Sequence, residues 1–409
     1  KKLFKENKIQ LTDIDLINKE KEDAKLVCSC RAKLTLKDGN KSIKTYLEDK
    51  NFEDYSDKGY YLLNYSVTKT DDNLSASKND YNVGSLLIGY LIANKIYENK
   101  IPELKKLSEF DKTEFIPTLE HKISEDKNYI YSSTFLFAWD EIRNKINSPL
   151  TIPDQNYDLK LVNQSKSFEG VLQNQEYEAS GNIKGNRIIA AAKFQKSLPF
   201  ALKFESFDNK LSFDGKKVSS FGFESKPNKE IRDMINIVYY KDDRNFILKL
   251  LPKDEEHEII VFKTENRGSS MGEMVREVNK LTKIGEREKK NDSIKWKYFI
   301  GDDDVIIIPK ISFNIENNYK SIEKNSFSSE EQNFEIDEAL QNTAFILDEA
   351  GAIVESDSRI VVTVGGYQKP KPKKMIFDKP FLILLRRKDA ENPYFGLWTT
   401  NTELMTKEK

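Results

Sequence analysis

The stretch that most limits the fold lies near the C-terminus, in "FILDEAGAIVESDSRIVVTVGGYQKPKPKK" at 345–374. It begins apolar and β-prone, passes through a small, acidic and serine-rich middle, and ends in a Lys/Pro tract with little capacity to pack. Successive side chains of a strand point to opposite faces, so a period of two shows whether such a stretch can enter a sheet. Counting alternate residues from Ala352, the set Ala352, Val354, Ser356, Ser358, Ile360, Val362 and Val364 carries no charge. The interleaved set, Ile353, Glu355, Asp357, Arg359, Val361 and Thr363, holds every charge. One face therefore suits a core, where an unpaired charge is very costly, and the other suits water. A permanently paired strand is the commonest meaning of such a pattern. The same pattern also fits an exposed loop able to become a strand.

Around this stretch, strands and helices neither alternate strictly nor segregate. "AKLVCSCRAKLTLKDGNKSIKTYLED" alternates on both sides of Asp38-Gly39, a hairpin signal, and "YYLLNYSVTKT" (60–70) predicts a third strand. Residues 1–75 are expected to form a β-rich module or an extension of the main domain, which is expected over 82–409. Helical spacing governs "VGSLLIGYLIANKI" (83–96) and "TFLFAWDEIRNKI" (134–146). Strands prevail from 157 to 262, a helix is expected over 271–290, and the C-terminal part returns to strands. This predicts an α+β class with large mixed β-sheets and N-terminal helices, against a doubly wound dinucleotide fold.

Charged residues make up 33% of the chain, yet the net charge is only −1, with both signs intermixed. That balance gives no support to the basic face a nucleic-acid binder needs. No apolar run reaches the length of a membrane helix. Cys28 and Cys30, the two cysteines, sit one residue apart, too close for an unstrained bridge, and supply neither a disulfide framework nor a zinc pattern. The chain opens at Lys1 without an initiator Met, which suggests a removed leader or tag and a secreted, periplasmic or cell-surface protein. The two histidines, in "LEHKI" (His121) and "EEHEI" (His257), are expected at the surface. "RGSSMG" (267–272) is expected to cap a helix and "GDDDV" (301–305) to be a solvated turn, without the ligand spacing of a calcium loop. No hydrolase elbow, zinc-protease motif or phosphate loop is present.

Five segments, in order, resemble the serpin family. "AAAKFQKSLPF" (190–200) is the weakest. "YYKDDRNFILKLLPKD" (239–254) is similar to that family's strand-turn-strand ending in Leu-Pro. "DVIIIPKISFNIENNY" (304–319) is similar to its Pro-Lys strand. "NTAFILDEAGA" (342–352) looks like the strand leading to its hinge, and "MIFDKPFLILLRRKDAENPYFGLWT" (375–399) like its C-terminal hairpin. The resemblance covers about 190–400. Ala190 and Leu198 stand near positions where the family usually has Asn and Trp, and the hinge lacks the usual Thr and alanine run.

The resemblance implies an exposed reactive-type loop that a protease cleaves and that then inserts into the protein's own sheet, releasing stored strain. Gly351, Ala352, Val354, Ser356 and Ser358 become the hinge, facing inward on insertion. The bait bond is expected at Tyr367, which suits a chymotrypsin-like or subtilisin-like enzyme, or at Lys369, which suits a trypsin-like one although Pro370 follows it. A new central strand gains two ladders of hydrogen bonds, roughly 0.5–1.5 kcal/mol each net. Full burial of Val354, Ile360, Val362 and Val364 adds on the order of 1.5–3 kcal/mol apiece. β-branched Val354 and bulky Ile360 would slow insertion. The implied protein inhibits a serine or cysteine protease, is a monomer, is not itself an enzyme and needs no cofactor or metal. The alternatives are a non-inhibitory binding or structural protein on the same fold, and a surface or periplasmic protein whose 1–75 module binds a partner.

Overall fold

The computed structural model describes residues 102–173, 176–194, 198–351 and 371–407, and in the first hundred residues the backbone of five strands. The chain divides into two compact units, Lys1–Lys100 and Ile101–Lys409. The first contains β1 (Ile9–Glu22), β2 (Lys25–Leu36), β3 (Glu53–Tyr55), β4 (Tyr60–Thr70) and β5 (Asn73–Ser77). They form one antiparallel sheet in the order β1-β2-β4-β3, with β5 on β4. The strand expected at 60–70 is β4. The partners of β2 are β1 and β4, which occupy both its edges over 26–34. The second arm of the hairpin expected across Asp38-Gly39 lies outside the described residues, as does the helix expected at 83–96.

The second unit opens with β6 (Lys105–Lys106), β7 (Thr113–Ile116) and β8 (Asn128–Ser132), then helices α1 (Thr134–Ile146) and α2 (Tyr157–Gln164). Next come β9 (Glu178–Lys184), β10 (Arg187–Phe194), β11 (Glu205–Phe213), β12 (Lys216–Phe223) and the short helix α3 (Lys229–Asp233). β13 (Ile235–Asp242), β14 (Asn245–Leu250) and β15 (His257–Lys263) precede helix α4 (Met271–Glu288). The remainder is β16 (Val305–Pro309), β17 (Ile311–Asn318), β18 (Ser326–Ser329), β19 (Gln332–Leu347), β20 (Lys374–Ile376), β21 (Phe381–Arg387) and β22 (Phe395–Thr399). Three sheets result: six strands with the path β6-β17-β19-β10-β9 and β18 on β19, four as β11-β12-β16-β20, and seven as β13-β14-β15-β21-β22-β8-β7. The fold is α+β with large mixed sheets and few helices, as the element pattern predicts.

The seven-stranded sheet explains the apolar runs. Every residue of β15 and all but the last of β21 are buried, so these strands are covered on both faces and read as continuous hydrophobic stretches. The six-stranded sheet differs. β10 buries Ile188, Ala190, Ala192 and Phe194 and leaves the intervening residues partly or fully exposed. β19 buries Phe334 and Ile336, then shifts register against β10 between Ile336 and Glu338, and afterwards buries Ala339, Gln341, Thr343, Phe345 and Leu347. An extra residue in one strand reverses which side chains face the core, and here it keeps both halves of a long strand buried on one side.

Helix α1 lies on β9 and β10. Gly181 permits that approach, because a Cβ there would stand 2.4 Å from the Ala138 carbonyl oxygen. Helix α4 starts where "RGSSMG" predicts a cap: Ser270 Oγ accepts from the Glu273 amide at 3.2 Å, and the Glu273 carboxylate accepts from the Ser269 amide at 2.7 Å. Its Met271, Met274, Val275 and Val278 fall on one buried stripe.

Phe395 of β22 joins two sheets. Its ring stacks on Phe194 of β10 at 5.3 Å and tilts against Phe345 of β19 at 4.6 Å between centroids. Replacing Phe395 by Ala should lower stability by about 3–5 kcal/mol through lost burial and the cavity left behind. Urea unfolding measures this; a loss below about 1 kcal/mol would show that the ring does not tie the sheets together.

Candidate functional site

The two-faced stretch leaves β19, and β19 is paired over 335–343 with β10 in parallel, from Arg187 opposite Glu335 to Phe194 opposite Thr343. Parallel neighbours need a crossover, and here the chain supplies it between β10 and β19 through much of the second unit. A segment that leaves the end of β19 and turns back runs antiparallel to β19, and so antiparallel to β10 as well. This β10–β19 seam is therefore where the sheet's topology could admit the segment between two strands. A buried polar set lies behind the seam. Thr134 Oγ1 donates to Gln341 Oε1 at 3.0 Å, Gln341 Nε2 donates to Thr343 Oγ1 at 3.1 Å, and Ser132 and Thr134 share a hydroxyl contact of 2.9 Å. All four residues are fully buried. Satisfied polar groups in a core fix one register, because any slip strands a donor or acceptor without water.

The N-terminal anchor of the segment begins after Leu347. Asp348 Oδ1 accepts from the Ala350 amide at 2.9 Å, and the Asp348 carbonyl accepts from Gly351 at 3.1 Å. The Phe200 amide donates to Ala350 O at 3.0 Å and the Phe204 amide to Glu349 O at 2.9 Å, so the turn is stitched to the chain beyond β10. Gly351 has φ +82°, and a Cβ there would lie 2.6 Å from the Phe200 nitrogen and 2.8 Å from Leu198 O. Conformation and space both require glycine. Leu198, buried, supplies a carbonyl to this corner, and buried Ala190 lies within β10. Lys310 Nζ meets Glu349 Oε2 at 2.6 Å. Burial alone would raise the Glu349 carboxyl, but the Lys310 hydrogen bond, a backbone hydrogen bond and the charges of Lys310 and Lys203 together outweigh it and hold it below its ordinary value.

The C-terminal anchor is Lys373. Its side chain is buried, with Nζ 2.7 Å from Asp304 Oδ2 and donating to Phe299 O at 2.9 Å. Its backbone amide donates to Asp304 Oδ1 at 2.8 Å, and the Val305 amide donates to Lys373 O at 2.9 Å. The ammonium lies 5.6 Å from the Trp296 ring centre and 6.0 Å from that of Tyr240. Tyr240 donates to Asp243 Oδ1 at 2.6 Å, and burial first, then that carboxylate, raises the phenol's pKa. The Lys374 amide donates to the same oxygen at 2.8 Å. β20 then pairs in parallel with β16.

Two expectations are corrected here. The "GDDDV" turn is not wholly solvated: Asp304 is buried and fixes Lys373, so the Lys/Pro tract also ends inside the protein. His257 is not at the surface. It is buried at the start of β15, with Nε2 3.0 Å from Glu176 Oε1 and the Tyr394 ring 5.5 Å away. The apolar run that follows His257 carries the signal, since a strand covered on both faces buries its first residue too. Of the predicted site residues, Gly351 stands at the N-terminal anchor. Ala352, Val354, Ser356, Ser358, Tyr367 and Lys369 lie outside the described residues.

No protein-family model matches the chain, and no curated protein does. Solved structures similar to it include serpins. The native thermophilic serpin tengpin is 14% identical over 53% of this chain and 55% of its own, with a TM-score of 0.31. Manduca sexta serine protease inhibitor (serpin)-12 is 14% identical over 53% and 56%, TM-score 0.31. SRPN18 from Anopheles gambiae is 12% identical over the same shares, TM-score 0.31. The chain spans little more than half the length of each.

A carboxyl held below its ordinary value of about 4.5 contributes stability that is complete above that value and fades as pH falls through the lowered one. Glu349→Gln should therefore be less stable than wild type by about 1 kcal/mol near neutrality, with the gap closing as the medium becomes acidic. Thermal unfolding across pH checks this; a gap that widens in acid would contradict the Lys310 pairing.

Proposed function

We propose that the chain is a serpin-like inhibitor of a serine or cysteine protease, acting through cleavage of the segment between Gly351 and Lys371 and insertion of its first part between β10 and β19. The observation that carries this reading is the parallel pairing of β10 with β19, the strand that delivers the segment. The five ordered sequence resemblances and the two-faced alternation of 352–364 support it further.

The chemistry belongs to the protease. Its serine or cysteine attacks the carbonyl of the bait residue, Tyr367 or Lys369, forming an acyl-enzyme as the peptide bond breaks and the amine leaves on the C-terminal side. Buried Lys373 keeps that leaving side fixed to Asp304 and β16. The N-terminal side, still joined to Gly351, is released to enter the seam with the protease attached. The uncharged face carrying Ala352, Val354, Ser356 and Ser358 turns toward the buried layer, where Ala190, Ala192, Gln341 and Thr343 already lie. The charged face meets water beside the exposed side of β10 and β19.

Incubation with a panel of serine and cysteine proteases should give an SDS-stable covalent complex with at least one. Cleavage without any complex would overturn inhibition. Heating the cleaved protein tests insertion separately: a rise in melting temperature of more than about 10 °C supports it, since several kcal/mol of new strand shift Tm by that order. An unchanged value rejects it. Ser356→Arg, which puts a charge on the face meant for the core, should abolish both the complex and the heat resistance.

A further inference from the structure

Arg187 is the first residue of β10 and stands at the end of the seam opposite Gly351. Its Nη1 lies 2.6 Å from Glu335 Oε1 and 2.7 Å from Asp337 Oδ1, both on β19. Glu335 lies just before the register shift and Asp337 is its extra residue, between Ile336 and Glu338, and neither side chain is on the buried side of β19. Among the described residues this is the ion pair that joins β10 to β19; Lys193, farther along β10, meets Glu178 on β9 instead. The adjoining backbone adds one bond, from the Glu335 amide to Asn186 O at 2.9 Å.

We propose that Arg187, Glu335 and Asp337 form a clasp that sets how readily the far end of the seam opens, and so whether an entering strand runs its whole length. The proposal rests on the insertion reading for its purpose, but the clasp itself is a property of the uncleaved protein. A strand placed between β10 and β19 moves them apart by one further spacing of about 4.8 Å, which no single guanidinium contact can bridge at hydrogen-bond distance. The stretch 352–364 holds as many residues as 335–347 of β19. Laid antiparallel from the turn at Gly351, it reaches the level of Glu335, where Arg187 sits, only when insertion is complete. The clasp therefore resists the last step of entry. All three side chains are partly exposed, so salt weakens the clasp without unfolding the protein.

Hydrogen exchange of the β10 and β19 amides in the uncleaved full chain tests this. Arg187→Gln should speed exchange near Arg187 and Glu335 by about two- to fivefold in low salt. High salt should bring wild type toward the variant and leave the variant unchanged. Arg187→Lys should restore most of the protection, and Lys193→Gln, which breaks a pair outside the seam, should leave it alone. Equal exchange in wild type and Arg187→Gln, or equal salt dependence, would overturn the clasp. If Arg187→Gln speeds exchange while cleaved wild type gains no heat resistance, the clasp stands and the insertion reading falls.

Discussion

The pairing of β10 with β19 governs the second unit. The two strands are far apart in sequence yet neighbours in space, so their ladder must offset the entropy of closing a long loop. Once formed, it places α1 against one face, the Thr134–Gln341–Thr343 set behind the middle, and Phe395 between the ends carrying Phe194 and Phe345. Apolar contact tolerates small shifts, whereas the polar set accepts only one register. Together they hold a parallel pair, the less favourable kind per residue, in a single alignment.

The segment between β19 and β20 is fixed at each end by different means. At the start, Gly351 fits a corner no side chain can share, and Lys310 with Glu349 adds charge at its rim. At the end, the buried Asp304–Lys373 pair binds backbone and side chain at once. Buried pairs repay desolvation only when hydrogen bonds satisfy the remaining donors, and Lys373 meets that condition through Phe299 O and the Trp296 ring. The two ends thus rest on firm points, one next to the seam and one on a separate four-stranded sheet.

Much of this was legible in residues alone. The runs in β14, β15 and β21 announced strands, and the helices at 134–146 and 271 onward followed from their spacing and, for the second, its serine cap. Asp304 and His257 were misread for a shared reason. Local context near each is charged, and charge in sequence signals solvent unless a distant partner removes it. Lys373 is remote from Asp304, and Glu176 from His257, so the pairing that permits burial has no local trace. The register shift near Asp337 is hidden likewise: β19 shows two alternations of opposite phase, which read as one irregular strand until the neighbour is known.

Backbone hydrogen bonds alone do not decide whether the segment would enter the seam. Entry breaks one ladder and makes two, leaving a surplus of one, about 0.5–1.5 kcal/mol per bond. Ordering the entering residues costs about 1–2 kcal/mol each, which offsets or exceeds that surplus. The remainder must come from side chains, and the uncharged set supplies four large ones, Val354, Ile360, Val362 and Val364, three of them late in the stretch. Small Ala352, Ser356 and Ser358 ease the first steps but add little apolar burial. On the proposed insertion, this composition would make entry nearly neutral at its beginning and favourable only toward its end, close to Arg187. If the segment enters as proposed, whatever resists opening there bears on the step that yields most of the free energy, and the far end of the seam matters more than the hinge.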